Sequence, residues 1–344
     1  MMLKKSVFFV VLAFMAMTLV ACKSASTDNA MTEKKICQVT DTGGIDDKSF
    51  NATAWNGVVR AQDQLKVVGK YLESQQQTDY EKNINALVED NCDLIVTVGF
   101  LLGDATKAGA EANPDKKFAI VDYAYDPAIP NVLGLVFATD QAGFLAGYTA
   151  AAATKTGKVA TFGGINITPV TDFMDGFTLG VQAYNAKHGT KTLVIGWDVE
   201  TREGLFAGNF ESLEDGKNLG QSLLDEGVDI IMPVAGPVGL GTASAVKEHG
   251  NAWVIGVDTD WTVSAAEYKD VILTSVLKKM DNAVFAVAQQ VLDGKFAGGV
   301  MVSNLANDGV GIATPAAGTV SAEFSTELEQ VKADIIAGTL KTKP

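Results

Sequence analysis

The sequence predicts an α/β protein: two doubly wound parallel-sheet lobes joined by a multi-strand hinge. Two observations carry this. Short, nearly all-apolar runs alternate with amphipathic stretches along most of the chain, the pattern of parallel strands covered by helices on both faces. The alternation also runs through one series of strands, restarts near Thr139 and runs through a second, which describes two lobes rather than one long sheet.

The first series places strands at 36–40, 67–72, 94–98, 118–121 and 132–136. The second places them at 158–162, 192–196, 229–234, 253–257 and 271–274. Segments such as "SFNATAWNGVVRAQDQ" and "YEKNINALVED" have the 3.6-residue apolar period of helices between them. "MDNAVFAVAQQVLDGKF" follows the second series with no lobe left to build, so it is expected to return to the first. "SAEFSTELEQVKADIIAGTL" reads as a last helix stopped by Gly338. The expected division is 36–138 plus 263–300 for an N-terminal lobe and 139–262 plus 301–344 for a C-terminal lobe. Chain segments crossing between lobes make a hinge and a cleft.

The first residues read as an export signal. "MMLKK" is a positive start, and "SVFFVVLAFMAMTLV" is apolar but shorter than the roughly 20 residues a spanning helix needs. Ala21 before Cys22 matches a bacterial lipoprotein signal. A signal peptide at 1–21, a lipidated Cys22 and a small, polar, flexible tether at 22–35 are therefore expected. That would place the protein on the extracytoplasmic face of a cell membrane, held through its N-terminal lipid. The formal charge of −14 argues against nucleic acid or anionic lipid as a partner.

Cys37 and Cys92 lie in or just before apolar runs, "ICQVT" and "CDLIVTVG". If those runs are neighbouring parallel strands, a disulfide and two buried thiols both fit, and an exported protein can keep the bond. Two cysteines without partner histidines do not make a zinc site.

Little in the chain suits catalysis. His188 and His249 precede glycines at helix ends, where a cation suits the dipole. "GPVGLG" and "DTGG" are neither a dinucleotide fingerprint nor a P-loop. Glu73 after the second strand stands where a dinucleotide fold keeps its ribose-binding acid, but an export signal does not suit a soluble NAD enzyme. Asp46 and Asp47 lack calcium-loop spacing and are better explained as caps of a helix near Ser49. No catalytic residue, metal or cofactor is expected.

In open α/β sheets, ligands bind beyond the carboxyl ends of the strands. There this chain places acids, a lysine or two, an asparagine and several aromatics, a lining suited to a small molecule. Aromatic faces stack on flat rings, and a carboxylate can accept from two neighbouring hydroxyls. That suits a nucleoside, with a sugar or an amino acid still open.

"DTGGIDDKSFN", "FAIVDY", "FLAGYTAA", "PVAGPVGLG", "VIGVDTDW" and "LTSVLKKMD" occur in this order across most of the chain. With them the sequence resembles the basic membrane protein family, the PnrA-like lipoproteins. The resemblance implies a type I periplasmic-binding fold and a receptor for a nucleoside, with a purine nucleoside expected, serving the permease and ATPase subunits of an ABC importer. It implies that Phe50 stacks on the base, Asp41 and Asn51 line the base side, and Asp122 accepts from a base N–H. Asp258 would take the ribose hydroxyls, Lys278 would bond the sugar and balance that acid, and Gly236 would let backbone approach the ribose. Lys279 reads as solvated surface. The second stacking ring is assigned to Phe210 in "GNFESLEDGK", with Trp197 and Phe206 as rivals and helix-face packing as the plainer role for either phenylalanine. A surface nucleoside hydrolase using the Asp41–Asp47 acids with Ca²⁺ is the enzymatic alternative.

Overall fold

A computed structural model describes residues 33–344. The expected signal peptide at 1–21, Cys22 and the expected tether up to residue 32 lie outside the described residues. Lys35, expected in the tether, already begins the first strand.

The first series runs β1 (Lys35–Val39), α1 (Phe50–Leu65), β2 (Val68–Leu72), α2 (Tyr80–Glu89), β3 (Leu94–Val98), α3 (Gly103–Ala112), β4 (Lys117–Val121) and β5 (Val132–Phe137). The second begins with α4 (Thr139–Ala153), β6 (Lys158–Gly163), α5 (Thr168–His188) and β7 (Leu193–Ile195). A small hairpin, β8 (Trp197–Asp198) and β9 (Glu203–Gly204), leads to α6 (Leu213–Asp225), β10 (Ile230–Val234) and α7 (Pro237–His249). Then follow β11 (Trp253–Gly256), α8 (Trp261–Ser264), β12 (Ile272–Lys278), α9 (Met280–Leu292), β13 (Gly299–Ser303), β14 (Val310–Ile312) and α10 (Phe324–Ile336).

Apart from the β8–β9 hairpin, these strands form two six-stranded sheets, ordered β13-β5-β4-β3-β1-β2 and β14-β12-β11-β10-β6-β7. Every pairing in the first is parallel. In the second, only β12 with β14 is antiparallel. The inner strands β3 and β10 are buried at every position, as sheets covered on both faces require.

Two lobe boundaries differ from the sequence expectation. Residues 263–278, expected in the N-terminal lobe, carry β12, which pairs with β11 in the second sheet. That strand continues past Thr274 because its polar residues are satisfied internally: Ser275 Oγ accepts from Trp261 N at 3.1 Å. Residues 301–303, expected in the C-terminal lobe, belong to β13, which pairs with β5 in the first sheet. β13 is an edge strand with Val300 and Val302 exposed, so its sequence lacks a continuous buried run. The chain therefore crosses between lobes after β5, after β12 and after β13.

Helix α9 returns to the first lobe as expected and lies on α1. The approach is so close that a Cβ at Gly57 would stand 2.6 Å from the Asp281 carbonyl oxygen. Val284, Val287 and Ala288 are fully buried there, and each such valine contributes about 1.5–3 kcal/mol. Cys37 and Cys92 form a disulfide with Cα atoms 6.0 Å apart, tying β1 to the turn before β3.

Candidate ligand site

The turn between β1 and α1 is organised by Asp47. Its carboxylate accepts from the backbone N–H groups of Ser49 at 3.0 Å, Asn51 at 2.7 Å and Ala52 at 3.0 Å. These would otherwise be unpaired donors at a helix start. Asp47 thus caps the helix, while Asp46 is exposed. Glu73 also serves the turn, accepting from Ile45 N at 2.7 Å. Among the described residues, no group of three or more His, Cys, Asp or Glu is arranged to hold a metal ion.

With Asp47 capping, the Ser49 hydroxyl is released from that role and donates across the lobes to Asp258 Oδ2 at 2.8 Å. Asn51 is locked on both sides of its amide. Its Nδ2 donates to Asp41 Oδ1 at 3.0 Å and to Asp47 Oδ2 at 3.2 Å, while its Oδ1 accepts from Asp41 N. Burial pushes the Asp41 carboxyl up to about 6, against the opposing hydrogen bonds from Asn51 and Gly43.

Asp122 follows β4 and Asp258 follows β11, corresponding places in the two lobes. Both have left-handed backbones, φ 67° and 69°, a conformation uncommon outside glycine that aspartate adopts more readily than most residues. Lys278 ends β12. Its Nζ lies 2.5 Å from Asp122 Oδ2, with side chains 2% and 8% exposed, while its backbone N–H donates to the Asp258 carbonyl at 2.9 Å. Lys278 was expected to balance Asp258; its direct bond goes to Asp122, because the strand end brings its ammonium toward the first lobe, while its charge still acts on Asp258. Burial raises Asp258, with Lys278 and Ser49 opposing. The ammonium also sits over the rings of Phe50 at 4.7 Å, Phe137 at 5.3 Å and Phe173 at 5.9 Å, a desolvated cation–π arrangement.

These groups surround a cavity between the lobes of about 620 Å³, counted out to its opening, within the size range of small-molecule sites. All eight ligand residues named from the sequence line it. The sequence reading missed Phe100, Ile167, Val170 and Phe173, which form much of the apolar wall. Pro169 in the first turn of α5 was the available signal that this helix begins at the cleft.

Of the three aromatics weighed for the second lobe, Phe210 lines the cavity and Trp197 and Phe206 do not. Trp197 is 4% exposed, donates Nε1 to Asp175 Oδ1 at 2.8 Å and meets Phe206 edge-on at 6.0 Å. Phe210 lies in the loop before α6, its ring so close to Gly164 that a Cβ there would be 2.2 Å away. Gly236 has φ 54° and ψ −132°, a backbone that a side chain would strain. Neither histidine lines the cavity: His188 ends α5 and bonds Glu327 at 2.7 Å, and His249 ends α7. Lys279 pairs with exposed Asp308.

Comparison with known proteins agrees with this architecture. Residues 34–342 match the family described as ABC transporter substrate-binding protein PnrA-like. The chain is 34% identical to a CD4+ T-cell-stimulating antigen of Listeria monocytogenes, covering 93% of each chain. It is 32% identical to the ABC transporter nucleoside-binding protein BmpA of Lactococcus lactis, over 92% of this chain and 90% of that one. A crystal structure of an ABC transporter solute-binding protein from Aeropyrum pernix superposes with a TM-score of 0.80 at 27% identity, covering 90% of this chain and 92% of that one. The fold is that of type I periplasmic solute-binding proteins.

Proposed function

Since this chain belongs to the PnrA-like family of ABC transporter substrate-binding proteins, a family of receptors rather than enzymes, we propose that it captures a nucleoside between its lobes and delivers it to a membrane permease. The observation that carries this reading is the pairing of aromatic and acidic groups across one cavity. Phe50 and Phe210 enter from opposite lobes, and Asp122, Asp258 and Lys278 converge between them. Two rings can hold a planar base, with roughly 1–3 kcal/mol per stacked face by analogy with nucleic-acid binding. Buried Asp258 can accept from both hydroxyls of a ribose. Asp41, held by locked Asn51, can accept from a base N–H. Closure is then favoured because only the closed form completes both sets of contacts.

Membrane attachment through Cys22 is part of the same proposal and rests on the signal sequence. A Cys22→Ser chain should leave the detergent phase in a two-phase partition of cell extract.

The direct test is a thermal-shift screen of the signal-less chain against purine and pyrimidine nucleosides, ribose, arabinose and amino acids. A ligand at 100 times its Kd adds about 2.7 kcal/mol of stability. Stabilisation by inosine, guanosine or adenosine, with the nucleoside recovered intact after long incubation, supports the proposal. Stabilisation by a free sugar or an amino acid alone, or hydrolysis of the nucleoside, rejects it.

A further inference from the structure

The loop that carries Phe210 is pinned to its own lobe by backbone hydrogen bonds. Ala207 N donates to Gly163 O at 2.9 Å and Gly208 N to Gly164 O at 2.8 Å. Asn209 then holds the turn, its Oδ1 accepting from Glu211 N at 3.1 Å and Ser212 N at 2.8 Å. Glu211 faces the other way. One of its carboxylate oxygens accepts from Phe210 N at 3.1 Å, and the other accepts from the Thr42 hydroxyl in the β1–α1 turn of the first lobe. One side chain therefore joins the backbone of a cavity aromatic to the opposite lobe, next to Asp41. Thr42 and Glu211 both border the outer mouth of the cleft.

We propose that Glu211 is a positioning residue that straps the Phe210 loop to the first lobe, so that lobe closure and the setting of the Phe210 ring are one event. The proposal deepens the nucleoside reading, since the ring is set against whatever the cleft holds. A hydroxyl-to-carboxylate bond has no net charge pair to screen, unlike the exposed Lys48–Glu267 bridge, which also spans the lobes at 2.8 Å and is of the kind that contributes little. The strap should therefore persist at high salt.

Two measurements test it. In amide hydrogen exchange on the signal-less chain without added ligand, Thr42→Val should speed exchange at the Phe210 amide about fivefold, as loss of one hydrogen bond would, although the change lies in the other lobe. Unchanged exchange there overturns the strap. In stopped-flow dissociation of inosine, Thr42→Val and Glu211→Ala should each raise the off-rate about fivefold, and the double variant should be no faster than either single one. Glu211→Gln, which keeps an acceptor oxygen, should stay near wild type. Multiplying effects, or a Gln variant as fast as Ala, overturn the proposal. If wild type does not bind inosine, the nucleoside reading fails, and the exchange result alone decides the strap.

Discussion

Lys278 Nζ lies 2.5 Å from Asp122 Oδ2, and its strand belongs to one sheet while the aspartate directly follows a strand of the other. Removing one member of a buried pair leaves its partner charged and uncompensated, at a cost of about 3–5 kcal/mol. Lys278→Met should therefore weaken ligand binding by at least about a hundredfold and lower the melting temperature, while Lys279→Met, at an exposed pair, should change neither. Calorimetric titration of both variants checks this.

Asp258 is buried and receives the Ser49 hydroxyl. Asp258→Ala should cost several kcal/mol of nucleoside affinity, about 1.5–3 for each charged hydrogen bond lost, while 2′,3′-dideoxynucleosides should lose little. An affinity change under about tenfold for the intact nucleoside would contradict the assignment of this carboxylate to the diol.

Phe210→Ala should reduce affinity by roughly 1–3 kcal/mol for ligands that carry a base and leave stability nearly unchanged. Phe206→Ala, in a ring packed against buried Trp197, should do the reverse, lowering stability by about 3–5 kcal/mol. Paired titration and urea denaturation separate the two.

Asp41 is held up to about 6 by burial. If its carboxylate accepts from the ligand, binding needs the ionised form, so protonation competes. Affinity should be level above pH 7 and fall as pH drops through 6, by about tenfold per unit below it. Asp41→Asn should flatten the profile. A wild-type profile already flat between pH 5 and 7 would remove Asp41 from ligand contact.

The Cys37–Cys92 bond spans 55 residues of sequence. On a chain-entropy account a loop of that length is worth about 4 kcal/mol. Cys37→Ser, or reduction, should lower the urea midpoint accordingly without changing the ligand preferred at saturation.

Much of this was legible in residue order. The lobes' inner strands are short apolar runs, and the site acids stand immediately behind them. Asp122 and Asp258 were therefore expected at the cleft, where both line the cavity, though their left-handed backbones left no mark in the sequence. What escaped was set by tertiary contact. β13 is half-exposed and borrows its order from β5, so its own residues carry a weak signal. Phe173 lies within α5, where a buried aromatic reads as ordinary core, and only the helix's approach to the cleft makes it a wall. The partner of Lys278 depended on which sheet β12 joins, a choice that apolar pattern does not encode.

The first sheet takes its last strand, Gly299–Ser303, from far along the chain. A ribosome that has released only residues 33–138 has thus exposed all the other strands of that sheet but not the one that closes it. Until then β5, almost wholly buried in the finished protein, presents an unpaired apolar edge, the kind that recruits strands from other molecules. A fragment ending at 138 should accordingly aggregate rather than fold, and adding a peptide of residues 280–303 in trans should rescue it. Assembly of the first lobe can therefore begin only once its distant segment has arrived.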